Sequence, residues 1–174
     1  TVYVNLEVQD FCCKKRLESV IDKTGIEPDS GFLSVVNARG TWQGLSSLDI
    51  LINQIPQDTR LIVIDPFYKL NDSDETDQAG VKLVLREIDE MIHKTGASVI
   101  YLHHFTKGNP KDKNLIDLLS GSGVLSRDYD SCLLLMADGD CRGDAKFVLR
   151  NHSPLPDIRL ERDYPLLKAI PTNE

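Results

Sequence analysis

The chain is poor in several things, and each shortage narrows what it can be. No apolar run in its 174 residues approaches the roughly eighteen needed to cross a bilayer, and no leader pattern opens it, so neither a membrane nor an export signal is expected. Cysteine is scarce: Cys12, Cys13, Cys132 and Cys141 are all there is, two of them adjacent and none in a C-x-x-C pair. That argues against a disulfide framework or a structural zinc site and fits reduced thiols in the cytoplasm. Positive charge is outnumbered, 20 Lys and Arg against 27 Asp and Glu, for a net charge of −7. That argues against nucleic-acid binding over the whole surface and leaves room for a local basic patch. Linkers, low-complexity stretches and internal repeats are missing too, so residues 1–174 read as a single domain, long enough for a real core.

What is present alternates between strand and helix. The clearest strands are Arg60-Leu-Ile-Val-Ile-Asp65 and Ser98-Val-Ile-Tyr-Leu-His-His104, apolar runs that end in polar residues. Continuous apolar runs predict strands buried on both faces, the usual state of a parallel sheet. Further strands are predicted at 1–6, 31–38 and 131–137, and a final hairpin from 145–151 and 157–163. Asp10 predicts the cap of a helix over 11–24, with Gly25 just past its end; Ser46 or Ser47 caps a short helix that Pro56 stops. Val81, Val84, Leu85, Ile88, Met91 and Ile92 fall on one helical face, and Gly96 ends that helix. Acidic residues 71–77 and residues 105–123 read as loops. The pattern is that of a mostly parallel α/β sheet flanked by helices, with antiparallel strands added at one edge near the C-terminus.

In such sheets ligands sit beyond the carboxyl ends of the strands, which places Asp65, His103 and His104 on one rim. An Asp closing an apolar strand suits Mg²⁺ held through water, or merely caps the next loop. Glu7, at the end of the first strand, could deprotonate a water, or could be a surface residue. The two histidines could polarise a phosphate or join Asp65 and Glu7 around a metal, although adjacent strand residues point to opposite faces. Lys107, Lys111 and Lys113 crowd one loop, where a basic segment can track a nucleic-acid backbone, with Phe105 available to stack on a base. Ser120-Gly-Ser-Gly123 lacks a following Lys-Ser or Lys-Thr and reads as a turn rather than a phosphate loop. Arg150 closes a strand, where an arginine could reach a neighbouring subunit's phosphates or form a surface ion pair.

Taken in order, the segments V-Y-V-N-L-E (2–7), L-I-V-I-D-P (61–66), V-I-Y-L-H-H-F-T-K-G (99–108), G-S-G-V-L-S-R-D-Y-D (121–130) and F-V-L-R-N (147–151) resemble the RecA-like P-loop ATPase core. The RepA-type hexameric helicase and ATPase family is the nearest likeness. The resemblance implies that Glu7 activates water, that Asp65 is the Walker B aspartate for Mg²⁺, and that His104 senses the γ-phosphate. It implies further that the loop of Lys107, Lys111 and Lys113 faces single-stranded DNA in a ring of identical subunits, and that Arg150 reaches a neighbour's ATP. Related rings often carry a Lys two residues before that Arg; here it is Val148.

The family's G-x-x-x-x-G-K-[ST] loop is not among these residues. The expectation is therefore a RecA-like domain truncated at its N-terminus, neither binding ATP tightly nor hydrolysing it alone. An exposed apolar part of the sheet is expected where the first strand is missing. Two rivals stay open: a RecA-like assembly module without catalysis, and a metal-dependent hydrolase using Asp65, His103 and His104.

Overall fold

The computed structural model describes residues 1–71, 77–104 and 124–171. Chain order runs β1 (Val2–Asn5), α1 (Asp10–Thr24), β2 (Ser34–Asn37), α2 (Gly44–Gln54), β3 (Leu61–Asp65), a 3-10 turn (Phe67–Leu70), α3 (Gln78–Thr95) and β4 (Ser98–Tyr101). A single short turn of helix, α4 (Leu125–Asp128), then leads into β5 (Ser131–Ala137), β6 (Arg142–Leu149), β7 (Ile158–Asp163) and β8 (Leu166–Ala169).

The first four strands form a parallel sheet in the order β2-β1-β3-β4. After β1 the chain steps to one side, into β2, and then crosses back over β1 to β3. Right-handed crossovers in opposite directions put α1 and α2 on opposite faces. The pleat sorts the side chains accordingly. Val2, Val4, Ile62 and Ile64 are buried on one face against Leu48, Leu51 and Ile52 of α2 and Val81, Val84, Leu85, Ile88 and Met91 of α3. Those α3 residues are the stripe that the sequence spacing predicts; Ile92, at its margin, is 39% exposed. Gly25 and Gly96 end α1 and α3 in the left-handed conformation, each returning its N–H to a carbonyl of the last turn.

Several expectations need correction. The strands are not buried on both faces: β3 alternates between buried and half-buried residues, and in β4 Ser98 and Ile100 are exposed. Asp10 is not the cap of α1. Gln9 holds that position without a side-chain cap bond, and the Asp10 carboxylate instead accepts from Asn37 Nδ2. In β5 only Leu134 is buried, while Leu133 and Leu135 stand 55% and 50% exposed, because nothing among the described residues covers their side of the pleat. The final hairpin is part of something larger. β5, β6, β7 and β8 make an antiparallel sheet of four strands, and among the described residues no strand of it pairs with the parallel sheet. The acidic run 72–76, the basic loop with Lys107, Lys111 and Lys113, and the Gly/Ser cluster up to Gly123 lie outside the described residues.

Among the described residues no helix is long and apolar enough to cross a membrane.

Candidate active site

The strand order reverses at β1, so the crevice of the parallel sheet opens between the carboxyl ends of β1 and β3. Asn5 lies directly opposite Asp65 there, and the Leu6 N–H donates to the Asp65 carbonyl at 2.8 Å, carrying the pairing one step past the strand. Asn5 is fully buried. Its amide donates to the Val8 carbonyl at 2.7 Å and to Asn37 Oδ1 at 2.8 Å, and its own Oδ1 accepts from the Val8 N–H at 2.9 Å. The two bonds to Val8 fix the turn after β1 with Glu7 exposed at its tip, and the third ties β1 to β2.

Each carboxylate meets a tyrosine from the other's strand or turn. Tyr3 of β1 donates its hydroxyl to Asp65 Oδ2 at 2.6 Å. Tyr68, just after β3, donates to Glu7 Oε1 at 3.3 Å. Burial, followed by the hydrogen bond and charge of Asp65, pushes the Tyr3 hydroxyl well above its ordinary pKa, so Tyr3 is a fixed donor. Cys13 is buried beside them, and burial and the charge of Asp10 push its thiol up as well. Both effects disfavour the thiolate, the reactive form of the side chain.

β4 contributes the histidines. The Leu102 N–H donates to Ile64 and the Phe67 N–H donates back to Leu102, lacing the ends of β3 and β4 together. His103 turns inward, its ring 5.8 Å from Phe67 and stacked on it, and its Nδ1 accepts the His104 N–H at 2.8 Å. His104 turns outward, with its ring 5.7 Å from Tyr68 and Nε2 at 4.0 Å from Glu7 Oε2. The structure thus brings Glu7, Asp65 and His104 to one rim and puts His103 on the other side of the strand. Among the described residues no three His, Cys, Asp or Glu side chains converge as a metal site would require.

Arg150 stands elsewhere. Its backbone N–H donates to Asp130, and its guanidinium donates to the carbonyls of Arg127 and Asp128 at the end of α4.

Residues 1–110 match the model of the AAA domain family. The chain belongs to that family. Its fold is similar to that of the ATPase domain of G40P, with a TM-score of 0.64 over 92% of this chain and 70% of that one, at 13% identity. At that identity the likeness speaks to fold, and it bears out the RecA-like α/β architecture. No curated protein matches in sequence. Within this AAA domain the match spans Glu7, Asp65 and His104 and stops short of Arg150.

Sequence reasoning missed Asn5, Tyr3 and Tyr68. A signal for Asn5 existed, since a lone amide inside the run V-Y-V-N-L needs buried partners. The tyrosines gave none, because their reach to the carboxylates depends on strand register.

Proposed function

We propose that this chain carries the water-activating, Mg²⁺-holding and phosphate-sensing side of an ATP-hydrolysing site, as a subunit of a ring that acts on single-stranded DNA. One observation supports it above the rest: Glu7 and Asp65 follow neighbouring strands at the switch point of an AAA domain, with His104 against Glu7.

Asp65 suits Mg²⁺. Tyr3 occupies Oδ2, while Oδ1 has no hydrogen-bond partner among the described residues and can receive a metal-bound water. Mg²⁺ there would neutralise phosphate charge. Glu7, exposed at the tip of its turn, is placed to take a proton from an attacking water, with Tyr68 and His104 fixing the direction of its carboxylate. The phosphate-gripping P-loop is not in these residues, and a strand and helix carrying one would have to supply it. Such a strand would find the free edge of β4 beside His103 and His104. Lys107, Lys111 and Lys113 would meet the DNA strand. Arg150 would serve a neighbouring subunit's ATP only after leaving the carbonyls of α4.

Mg²⁺-dependent ATP hydrolysis tests the reading, measured on the 174-residue chain and on the same chain joined at Thr1 to a P-loop strand and helix. Turnover in the joined protein alone is expected. Turnover by the chain alone would overturn the assignment of the missing grip. None in either would leave the non-catalytic assembly module as the better account.

A further inference from the structure

We propose that the cavity between α3 and α4 is a phosphate-binding site in which Lys82 and Arg127 hold one phosphodiester of a nucleic-acid strand. This rests on the DNA reading above but assigns it to residues that reading does not use. The cavity has a volume of about 350 Å³ and is lined by Gln78, Lys82, Val124, Arg127 and Asp128. That lies at the lower end of the sizes that take small ligands, with room for a phosphate and its sugar.

Its charges are what single it out. On α3, Arg86 is matched by Glu87 at 3.2 Å and Lys94 by Glu90 at 2.8 Å. Lys82, on the same helix, has no ion pair among the described residues, and neither does Arg127. Asp128 is the one acid among the described residues of the lining; burial and Asp89 push its carboxyl above its usual range while Arg150, bonded to the backbone carbonyl of Asp128, opposes them. Two cations without an ion pair among the described residues thus outnumber one carboxylate in this concavity of a chain whose net charge is −7. The backbone that carries Arg127 is firmly placed. Leu125 is buried in the main core with Val124 packed against it, and the Arg150 guanidinium ties the last carbonyls of α4. An Arg fork and a Lys ammonium brought onto one oxyanion would make charge-assisted hydrogen bonds, the guanidinium in a planar fork.

The test is fluorescence anisotropy of a labelled oligothymidylate over a salt series, with the 174-residue chain and its Lys82→Gln/Arg127→Gln variant. Both side chains are exposed, so the thermal midpoint should not move and the variant should fold. Binding should weaken about tenfold, the loss expected from removing charge-assisted bonds. The slope of log K against log salt should become shallower by about 0.7, one phosphate's worth on a single strand. Orthophosphate is the second probe. If it raises the thermal midpoint of the wild type only, and no oligomer binds, the site belongs to free phosphate and the strand assignment is overturned. Wild-type binding with an unchanged slope in the variant overturns this site and leaves the DNA reading standing. Binding of neither probe by the wild type overturns both.

Discussion

At the scale of residues, Asn5 decides more than either carboxylate does about where the site is. It sits fully buried in a strand, and its side-chain bonds shape the Glu7 turn and tie β1 to β2. Replacing it with Ala leaves the half-buried Val8 N–H and carbonyl short of partners and takes the Asn5 amide from exposed Asn37. We expect Asn5→Ala to destabilise the fold by about 1–3 kcal/mol, read as a lower urea midpoint with an unchanged slope. Asp65, Glu7 and His104 were legible in the sequence because each ends an apolar run, and strand ends in a parallel sheet share a rim. Tyr3 was not legible. Its hydroxyl reaches Asp65 because Tyr3 pairs with Val63, which puts Asp65 two residues along on the same face.

Elements differed in how openly they announced themselves. α3 was plain, since a long amphipathic stripe ending in Gly96 admits one reading. The C-terminal strands were harder. The run from Ser131 to Ala137 is apolar throughout, so nothing in it marks which face is open, and the pairing of β5 with β6 and of β7 with β8 turns on long-range contacts. One position makes that pairing testable. Gly143 lies opposite Ala137, and a Cβ there would fall 2.5 Å from the Met136 carbonyl oxygen. Because the obstacle is backbone, it cannot swing aside. Gly143→Ala is expected to cost about 1–3 kcal/mol and to loosen the β5–β6 ladder, seen as faster amide exchange in Leu135 and Ala145. An unchanged exchange pattern would contradict the register.

The whole molecule carries a signature at high pH. Burial raises Tyr3, Tyr101 and Cys132 alike, the last from an ordinary 9.0 to about 11. In alkaline solution the folded chain therefore keeps protons that the unfolded chain has lost. Stability from these groups is complete below their ordinary values and drains as pH climbs from about 9 through about 11. The thermal midpoint should fall over that window, and Tyr101→Phe with Cys132→Ala should flatten the fall. Tyr101→Phe should also be well tolerated, since the Tyr101 hydroxyl is buried without a hydrogen-bond partner among the described residues.

At the same scale, the two sheets end in β2 and β4 and in β5 and β8 among the described residues, and Ile100 and Leu102 by β4 and Leu133 and Leu135 on β5 are exposed. The central claim is that the rim between β1 and β3 hydrolyses ATP. It is tested most directly by Glu7→Gln in the chain joined to its P-loop, measuring ATP hydrolysis and Mg²⁺-ATP binding side by side. The account predicts a rate lower by about 10²–10⁴-fold, the usual contribution of a general base, with nucleotide binding retained. Hydrolysis at the wild-type rate would contradict it.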